Sequence, residues 1–333
     1  MNTSGKHLEI LTTDQLTVGY KGQSLFEKLE LALYTGELVC FMGPNGIGKS
    51  TLIRTLTGLQ KPLSGSIEIL EPVPSPTITT KINHLVAIVL TERVTAINMT
   101  VEELVTFGRY PYLDWNIQLE KRDTEIISYA IDQVHIGHLR YKRLFELSDG
   151  ELQLTMIARA LAQDTPLIVL DEPTAHLDLN NRLEIMKLLR NLSHDLHKAI
   201  LLATHDLDLA LQTADRIWLA GNCKNIIDGI PEDLVLNGSF DSVFQFKGFD
   251  LKTGKVIHHA YRAETVNLEG TGHSFLWTKN ALERNGFATN KGNDKWSVET
   301  DSHAGKTFWI LKNHGRFETM ADLLKALNNE SIR

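Results

Sequence analysis

Cysteine is nearly absent. Cys40 and Cys223 are the only two in 333 residues, each inside an apolar, strand-like run. That excludes a disulfide framework or a cysteine zinc site, and both read as buried thiols of a reducing compartment. No stretch approaches about 18 uninterrupted apolar residues, so no membrane-spanning helix is expected. The opening segment MNTSGKHLEI lacks the apolar core of a secretory signal. Positive charge is not in excess either: 34 Lys and Arg against 41 Asp and Glu leave a net charge of -7. A mildly acidic chain is a poor non-specific binder of nucleic acid, because that binding needs clustered cations to displace counterions. No internal repeat or low-complexity tract stands out. What remains is ordinary globular composition, 42% hydrophobic and 23% charged, in a length suited to two domains.

The pattern along the chain alternates strands and helices. LEILTTDQLTVGY, SLFEKLELALYTGELVCFMG and SGSIEIL read as strands, and the proline-rich PVPSPT as a surface loop. Residues from about 91 to 165 read as mainly helical. In MTVEELVTFG, Thr100 and Glu103 have capping-box spacing. LIVLDEP and AILLATHD are short buried strands. Between them LNNRLEIMKLLRNLSHDLHK repeats Leu183, Met186, Leu189 and Leu192 on one helical face. Strands alternating with helices predict an α/β fold built on a parallel sheet. Composition shifts near residue 258. The last 75 residues contain Trp277, Trp296 and Trp309 of five tryptophans, and read as a small α+β domain. The predicted division is therefore 1–258 and 259–333.

Gly43-Pro44-Asn45-Gly46-Ile47-Gly48-Lys49-Ser50-Thr51 matches the phosphate-loop pattern G-x-x-x-x-G-K-[ST]. Glycines let backbone N–H groups curl around a phosphate, and the following helix directs its positive end there. Lys49 would reach the β- and γ-phosphates and Ser50 would offer an oxygen to Mg²⁺. Further on, Leu167-Ile168-Val169-Leu170 delivers Asp171 and Glu172 to a strand end. Asp171 would hold the metal through water, and Glu172 would act as general base on the attacking water.

With these motifs the chain resembles the nucleotide-binding subunit of ATP-binding cassette (ABC) transporters over about residues 8–258. That resemblance implies a P-loop ABC-type nucleotide-binding fold with a helical subdomain, and ATP and Mg²⁺ as cofactors. Leu147-Ser148-Asp149-Gly150-Glu151 stands where the family has LSGGQ. The family arrangement is a head-to-tail homodimer, in which Ser148 and Gly150 of one subunit touch the γ-phosphate bound by the other. The same residues also form a helix N-cap and capping box, and both roles can coexist. Tyr20 matches the aromatic that stacks on adenine, or else packs a strand edge. Asp178 matches the loop crossing the dimer interface. His205 matches the switch histidine that contacts the γ-phosphate, at a strand end where α/β sheets bind ligands.

Two positions depart from the family. Asp149 and Glu151 bring carboxylates toward an expected phosphate, and unless turned away or paired they should weaken ATP-driven closure. The usual glutamine after LVAIVL is replaced by Thr91-Glu92-Arg93; Glu92 or Thr91 takes its place near Mg²⁺. The segment TVEELVTFGRYP, with Gly108 and Arg109, resembles ATPases of iron-siderophore, haem and cobalamin importers, or packs the helical subdomain. The resemblance thus implies a peripheral subunit on the cytoplasmic face of the cell membrane. It would work with separate integral permease subunits and, indirectly, an extracytoplasmic substrate-binding protein. Its cargo would be an iron chelate first, cobalamin or haem next. A soluble, non-transport ABC ATPase is the alternative class. The tail reads as a dimer-stabilising module, a regulatory domain or a packing addition; His259, His273, His303 and His314 match no compact metal-ligand spacing.

Overall fold

The computed structural model describes residues 8–70, 81–90, 98–115, 118–221, 223–252, 254–256, 258, 260–262, 264–290, 296–303 and 306–330. The PVPSPT loop, the Thr91-Glu92-Arg93 segment and His259 lie outside them. Contacts divide the chain into two compact units, Met1–Gln245 and Phe246–Arg333. The division falls about a dozen residues before the composition shift, because a short hairpin groups with the second unit.

The first unit opens with β1 (Glu9–Tyr20), β2 (Gln23–Leu29) and β3 (Ala32–Tyr34). Then come β4 (Leu38–Met42), α1 (Lys49–Leu56), β5 (Ser64–Ile69) and β6 (Val86–Val89). The long β1 pairs antiparallel with β2, β3 and β5. Next are α2 (Val101–Thr106), α3 (Lys121–Gln133), α4 (Asp149–Ala162), β7 (Leu167–Asp171), α5 (Leu179–Leu196) and β8 (Ala199–Ala203). The unit ends with α6 (Leu207–Thr213), β9 (Arg216–Ala220), β10 (Ile226–Gly229), α7 (Pro231–Leu236) and α8 (Ser239–Phe244). A six-stranded sheet has the order β10-β9-β4-β8-β7-β6. All its pairs are parallel except β9 with β10.

Every residue of β4, β7 and β8 is buried. That is the mark of parallel strands covered on both faces, and it explains their uninterrupted apolar runs. Val39, Phe41, Val169, Leu201 and Trp218 share one core with β1, β2 and α1. Of the predicted stripe on α5, Met186, Leu189 and Leu192 are buried and Leu183 is partly buried near the helix start, with Ile185 and Leu188 widening the buried face. Cys40 is buried and Cys223 is exposed. The second corrects the expectation of two buried thiols: Cys223 sits in the turn between β9 and β10, past the end of the apolar run that suggested burial. Burial pushes the Cys40 thiol well above the ordinary thiol range.

The helices α2, α3 and α4 pack together. Thr100 caps α2 with the predicted reciprocal bonds to Glu103. Arg109 is buried, its Nε donating to Asp123 Oδ1 at 2.9 Å and its Nη1 to the Ala162 carbonyl at 3.0 Å. A Cβ on Gly108 would stand 2.3 Å from the Arg159 carbonyl. Gly108 and Arg109 are therefore packing residues of this subdomain.

The second unit carries β11 (Phe249–Asp250), β12 (Lys255–Val256), β13 (Thr265–Glu269), α9 (Gly272–Arg284), β14 (Ala288–Asn290) and β15 (Trp296–His303). It ends with β16 (Lys306–Leu311), β17 (Gly315–Phe317) and α10 (Met320–Glu330). A five-stranded sheet runs β14-β13-β15-β16-β17, with β13 parallel to both β14 and β15. The short edge strands β14 and β17 were not anticipated from sequence. Val266, Leu282, Phe287, Trp296, Val298, Leu311, Leu323 and Leu327 form its core. Trp309 Nε1 donates to the buried Thr278 hydroxyl at 2.6 Å, so two of the three tail tryptophans are structural. Trp277 is exposed.

Leu201 lies at the centre of the parallel sheet and is fully buried. Leu201→Ala should cost about 2–5 kcal/mol, the range for emptying such a site. Urea unfolding followed by fluorescence of Trp218, in the same core, measures it.

Candidate nucleotide site

The site is assembled at the C-terminal ends of neighbouring parallel strands, where open α/β sheets bind ligands. Strand β4 runs into Gly43, whose absent Cβ would stand 2.9 Å from Ala220. The loop then turns through Gly46 and Gly48 at φ 78° and 110°, conformations that side chains strain to adopt. Asn45 and Gly46 are exposed at its tip. Gly48 precedes α1, whose first turn holds no acidic residue to repel an anion.

Lys49 is buried. Its Nζ donates to the Gly43 carbonyl at 2.9 Å and the Pro44 carbonyl at 3.4 Å. Burial pulls its pKa down, while Glu172 and Asp171 push it back up. Ser50 follows on the exposed side, and Thr51 is half-buried in α1. At the end of β7, burial raises the pKa of Asp171; a hydrogen bond with the Ser50 hydroxyl acts in the opposite direction. A hydroxyl and a buried carboxylate already in contact are a hard-oxygen pair that fits Mg²⁺, and a cation there would offset the cost of burying the carboxylate.

Glu172 turns the chain through a left-handed backbone at φ 52°, a strain of about 1–2 kcal/mol for a non-glycine residue. Its N–H donates to the Ala203 carbonyl at 2.9 Å. Its Oε2 meets Nδ1 of His205, the second residue past β8. The sharp turn thus points the carboxylate at its neighbour strand's histidine. Lys49, Ser50, Asp171, Glu172 and His205 form one connected group. Tyr20 sits apart at the tip of the β1–β2 hairpin. Lys21 and Gly22, at φ 49° and 81°, form the tight turn that suits such hairpins. Tyr20 is 62% exposed, with its strand end held by a bond from Gln60 Nε2 to the Gly19 carbonyl at 2.6 Å. A rigidly carried, exposed ring is a platform for a flat partner.

Ser148, Gly150 and Asp178 form a second group. Ser148 caps α4, and Glu151 Oε2 accepts from both its N–H at 2.8 Å and its hydroxyl at 2.9 Å. The other carboxylate oxygen is 3.9 Å from Lys142 Nζ. These hydrogen bonds, led by the backbone one, hold Glu151 below the usual carboxylate range. Its charge is therefore turned back onto its own helix start. Asp149 is exposed. Asp178 caps α5, accepting from Asn181 N–H at 2.9 Å. The Asn181 side chain bonds Asp178 at 3.2 Å and fills the space a Cβ on Gly150 would need. Asn181 and Lys142 were not singled out from sequence; the only signal was a polar residue three positions after a helix cap. Glu92, expected near Mg²⁺, lies outside the described residues.

Phosphate loop, acidic strand end and strand-end histidine on one parallel sheet define a P-loop ATPase. Comparisons with known proteins narrow the class. Residues 26–175 match the ABC transporter family, and residues 263–328 match the iron ABC transporter C-terminal domain. An uncharacterized ABC transporter ATP-binding protein of Methanocaldococcus jannaschii is 39% identical over 72% of this chain and 82% of its own length. The iron(3+)-hydroxamate import ATP-binding protein of Bacillus subtilis is 34% identical over 75% of this chain and 94% of its own. A solved nucleotide-free ATP-binding cassette from an ABC transporter superposes with a TM-score of 0.59 at 26% identity, over 72% of this chain and 96% of that one. The chain belongs to the ABC transporter ATP-binding proteins, the subunits that bind and hydrolyse ATP.

Neutralising the acceptor that holds the Ser148 hydroxyl, and so weakening that charge-assisted bond, tests the second group. Glu151→Gln keeps the side-chain shape but removes the charge, and should lower the ATP concentration for half-maximal hydrolysis by about two- to tenfold. Steady-state ATPase measurement checks this; an unchanged or higher requirement refutes it.

Proposed function

We propose that this chain energises import of an iron chelate as a homodimer seated against separate permease subunits on the cytoplasmic face of the cell membrane. The observation that carries the cargo class is the tail's match to the iron ABC transporter C-terminal domain. The likeness of the ATPase unit to a hydroxamate-import protein supports it. Among the described residues no helix is long and apolar enough to cross a membrane, so the pore belongs to other chains on this reading.

In the mechanism we infer, ATP stacks on Tyr20 and its phosphates take the N–H groups of the Gly43–Thr51 loop. Lys49 leaves the loop carbonyls for the β- and γ-phosphates. Ser50 and Asp171 would hold Mg²⁺, which would neutralise phosphate charge. Glu172 takes a proton from the attacking water, and His205 orients that carboxylate and meets the γ-phosphate. Ser148 and Gly150 of the second subunit close the site, with Asp178 crossing the interface. Closing two subunits on two nucleotides would shift the helical subdomains, and ATP affinity would supply the bias.

A groove suited to the permease lies on that subdomain. Met99, Glu103, Thr106, Phe107, Tyr110 and Leu119 line an open depression of about 590 Å³, with the Phe107 and Tyr110 rings 4.5 Å apart. Exposed aromatics beside a few polar groups suit a short amphipathic helix from another chain. An extracytoplasmic binding protein would act through the permease, without touching this chain.

Reconstitution with the permease decides the cargo: uptake of a ferric siderophore is expected, and uptake of cobalamin or haem alone would overturn the reading. Phe107→Glu should abolish co-purification with the permease while leaving ATP hydrolysis by the chain itself within about twofold. At the centre, Glu172→Gln should bind ATP yet hydrolyse it at least about a hundredfold more slowly, as expected on losing a general base; near-parental turnover would remove Glu172 from that role. Glu92→Ala should raise the Mg²⁺ requirement, and an unchanged Mg²⁺ titration and rate would remove Glu92 from the site.

A further inference from the structure

Arg182 lies in the first turn of α5, four residues after Asp178. Its Nε donates to the Leu177 carbonyl at 2.7 Å, and its Nη1 reaches Asp206 Oδ2 at 3.3 Å. The two acceptors belong to different loops. Leu177 immediately precedes Asp178 in the loop after β7, and Asp206 immediately follows His205 after β8. The ion pair is partly withdrawn from water, with the Arg182 and Asp206 side chains 37% and 16% exposed. A planar guanidinium with fixed donors can hold two acceptors in two directions at once, which an ammonium does poorly.

Each end of this contact is anchored. The Asp206 N–H donates to the Thr204 hydroxyl at 3.0 Å. The Thr204 N–H donates to the Phe41 carbonyl of β4 at 3.1 Å, and Thr204 is buried. Asp206 Oδ1 also accepts from Leu209 N–H at 3.4 Å, capping α6. The loop after β7 holds itself less firmly. It has two non-glycine residues with left-handed backbones, Glu172 and His176 at φ 52° and 65°. Its internal bonds are short-range turns, Ala175 to Glu172 at 3.1 Å and Leu177 to Thr174 at 3.4 Å. Strained backbone of this kind persists only where its surroundings over-determine it. Arg182 supplies a constraint from outside the loop.

We propose that Arg182 is a positioning residue for ATP hydrolysis. It clamps the loop that carries Glu172 and Asp178 to the loop that carries His205, so that the Glu172–His205 contact and the interface-facing Asp178 are held in one arrangement. Its side chain contacts protein acceptors, the Leu177 carbonyl and Asp206 Oδ2. The inference rests on the assignment of Glu172 and His205 to the hydrolytic centre. The phosphate loop is fixed by its own backbone and by Lys49, so loosening the clamp disturbs the attacking water and leaves ATP binding intact.

Steady-state hydrolysis by the full-length chain tests this. Arg182→Ala should lower kcat about tenfold, a common effect of removing an outer positioning partner, with KM for ATP within about twofold. Arg182→Lys, which can meet one acceptor but not both, should fold as the parent does and retain an intermediate kcat. Asp206→Ala should resemble Arg182→Ala, and the double variant should be no slower than the slower single one, because the pair acts as a unit. Three results would overturn the proposal: a parental kcat in Arg182→Ala, a KM that rises as kcat falls, or a double variant whose loss is the product of the two single losses. Glu172→Gln measured alongside separates the failures. If it is inactive while Arg182→Ala is parental, only the clamp is wrong. If Glu172→Gln turns over normally, the hydrolytic centre itself is misassigned and the clamp falls with it.

Discussion

Lys49 and Asp171 are opposite charges withdrawn from water beside the C-terminal strand ends of a largely parallel sheet, and the rest of the candidate nucleotide site answers to that constraint. Burial disfavours the charged form of each. Each is stabilised by what the fold places beside it. Lys49 has two loop carbonyls and the acidic strand end; Asp171 has the Ser50 hydroxyl. On the proposed reading, a nucleotide with a divalent cation would substitute stronger partners for the same groups, so binding would exchange interactions at prepared positions and would not create charge in an apolar space. The sheet makes this possible because β4, β8 and β7 are neighbours. Their adjacent ends bring the phosphate loop together with the histidine and the two carboxylates, which follow it by more than a hundred residues.

The global charge of the chain is a poor guide to this site. A net charge of -7 argues against polyanion binding, yet the phosphate loop offers oriented N–H groups and one lysine at short range, a local arrangement that the charge sum does not register. The same distinction applies to the departures from the family pattern. Glu151 brings an extra negative charge beside Ser148, but its carboxylate bonds the Ser148 N–H and hydroxyl and lies near Lys142. That charge is absorbed locally. On the proposed dimeric reading, the cost would appear as competition for the Ser148 hydroxyl, not as bare repulsion across an interface.

Much of the fold was legible because its strongest signals are local. Uninterrupted apolar runs such as LIVLD and AILLA can be buried only in a sheet covered on both faces. Thr100 with Glu103, and Ser148 with Glu151, announced helix starts through reciprocal bonds spanning three residues. The phosphate loop was readable because its glycines answer to a backbone shape that few other residues adopt. Reading failed where the outcome depended on an element's end or on a distant neighbour. Cys223 follows an apolar run but falls in a turn, so it is exposed. The edge strands β14 and β17, three residues each, carry too little pattern to register alone and exist because a longer strand pairs with them. Gly108 and Arg109 invited a functional reading, yet the Arg159 and Ala162 carbonyls and Asp123 show that they hold helices together.

The sequence by itself determined the chemistry: which residues can cradle a phosphate, hold a hard cation or take a proton, and that a second, different unit follows the ATPase. These are properties of residue types at fixed short spacings, and backbone geometry enforces them wherever the segment folds. Only the tertiary structure decided which of those residues meet. That Glu172 faces His205, that Ser50 bonds Asp171, that Asn181 fills the space beside Gly150 and that Arg182 joins two loops all follow from strand order and helix placement. Such contacts link positions with no common periodicity, and long-range packing alone brings them within a hydrogen bond.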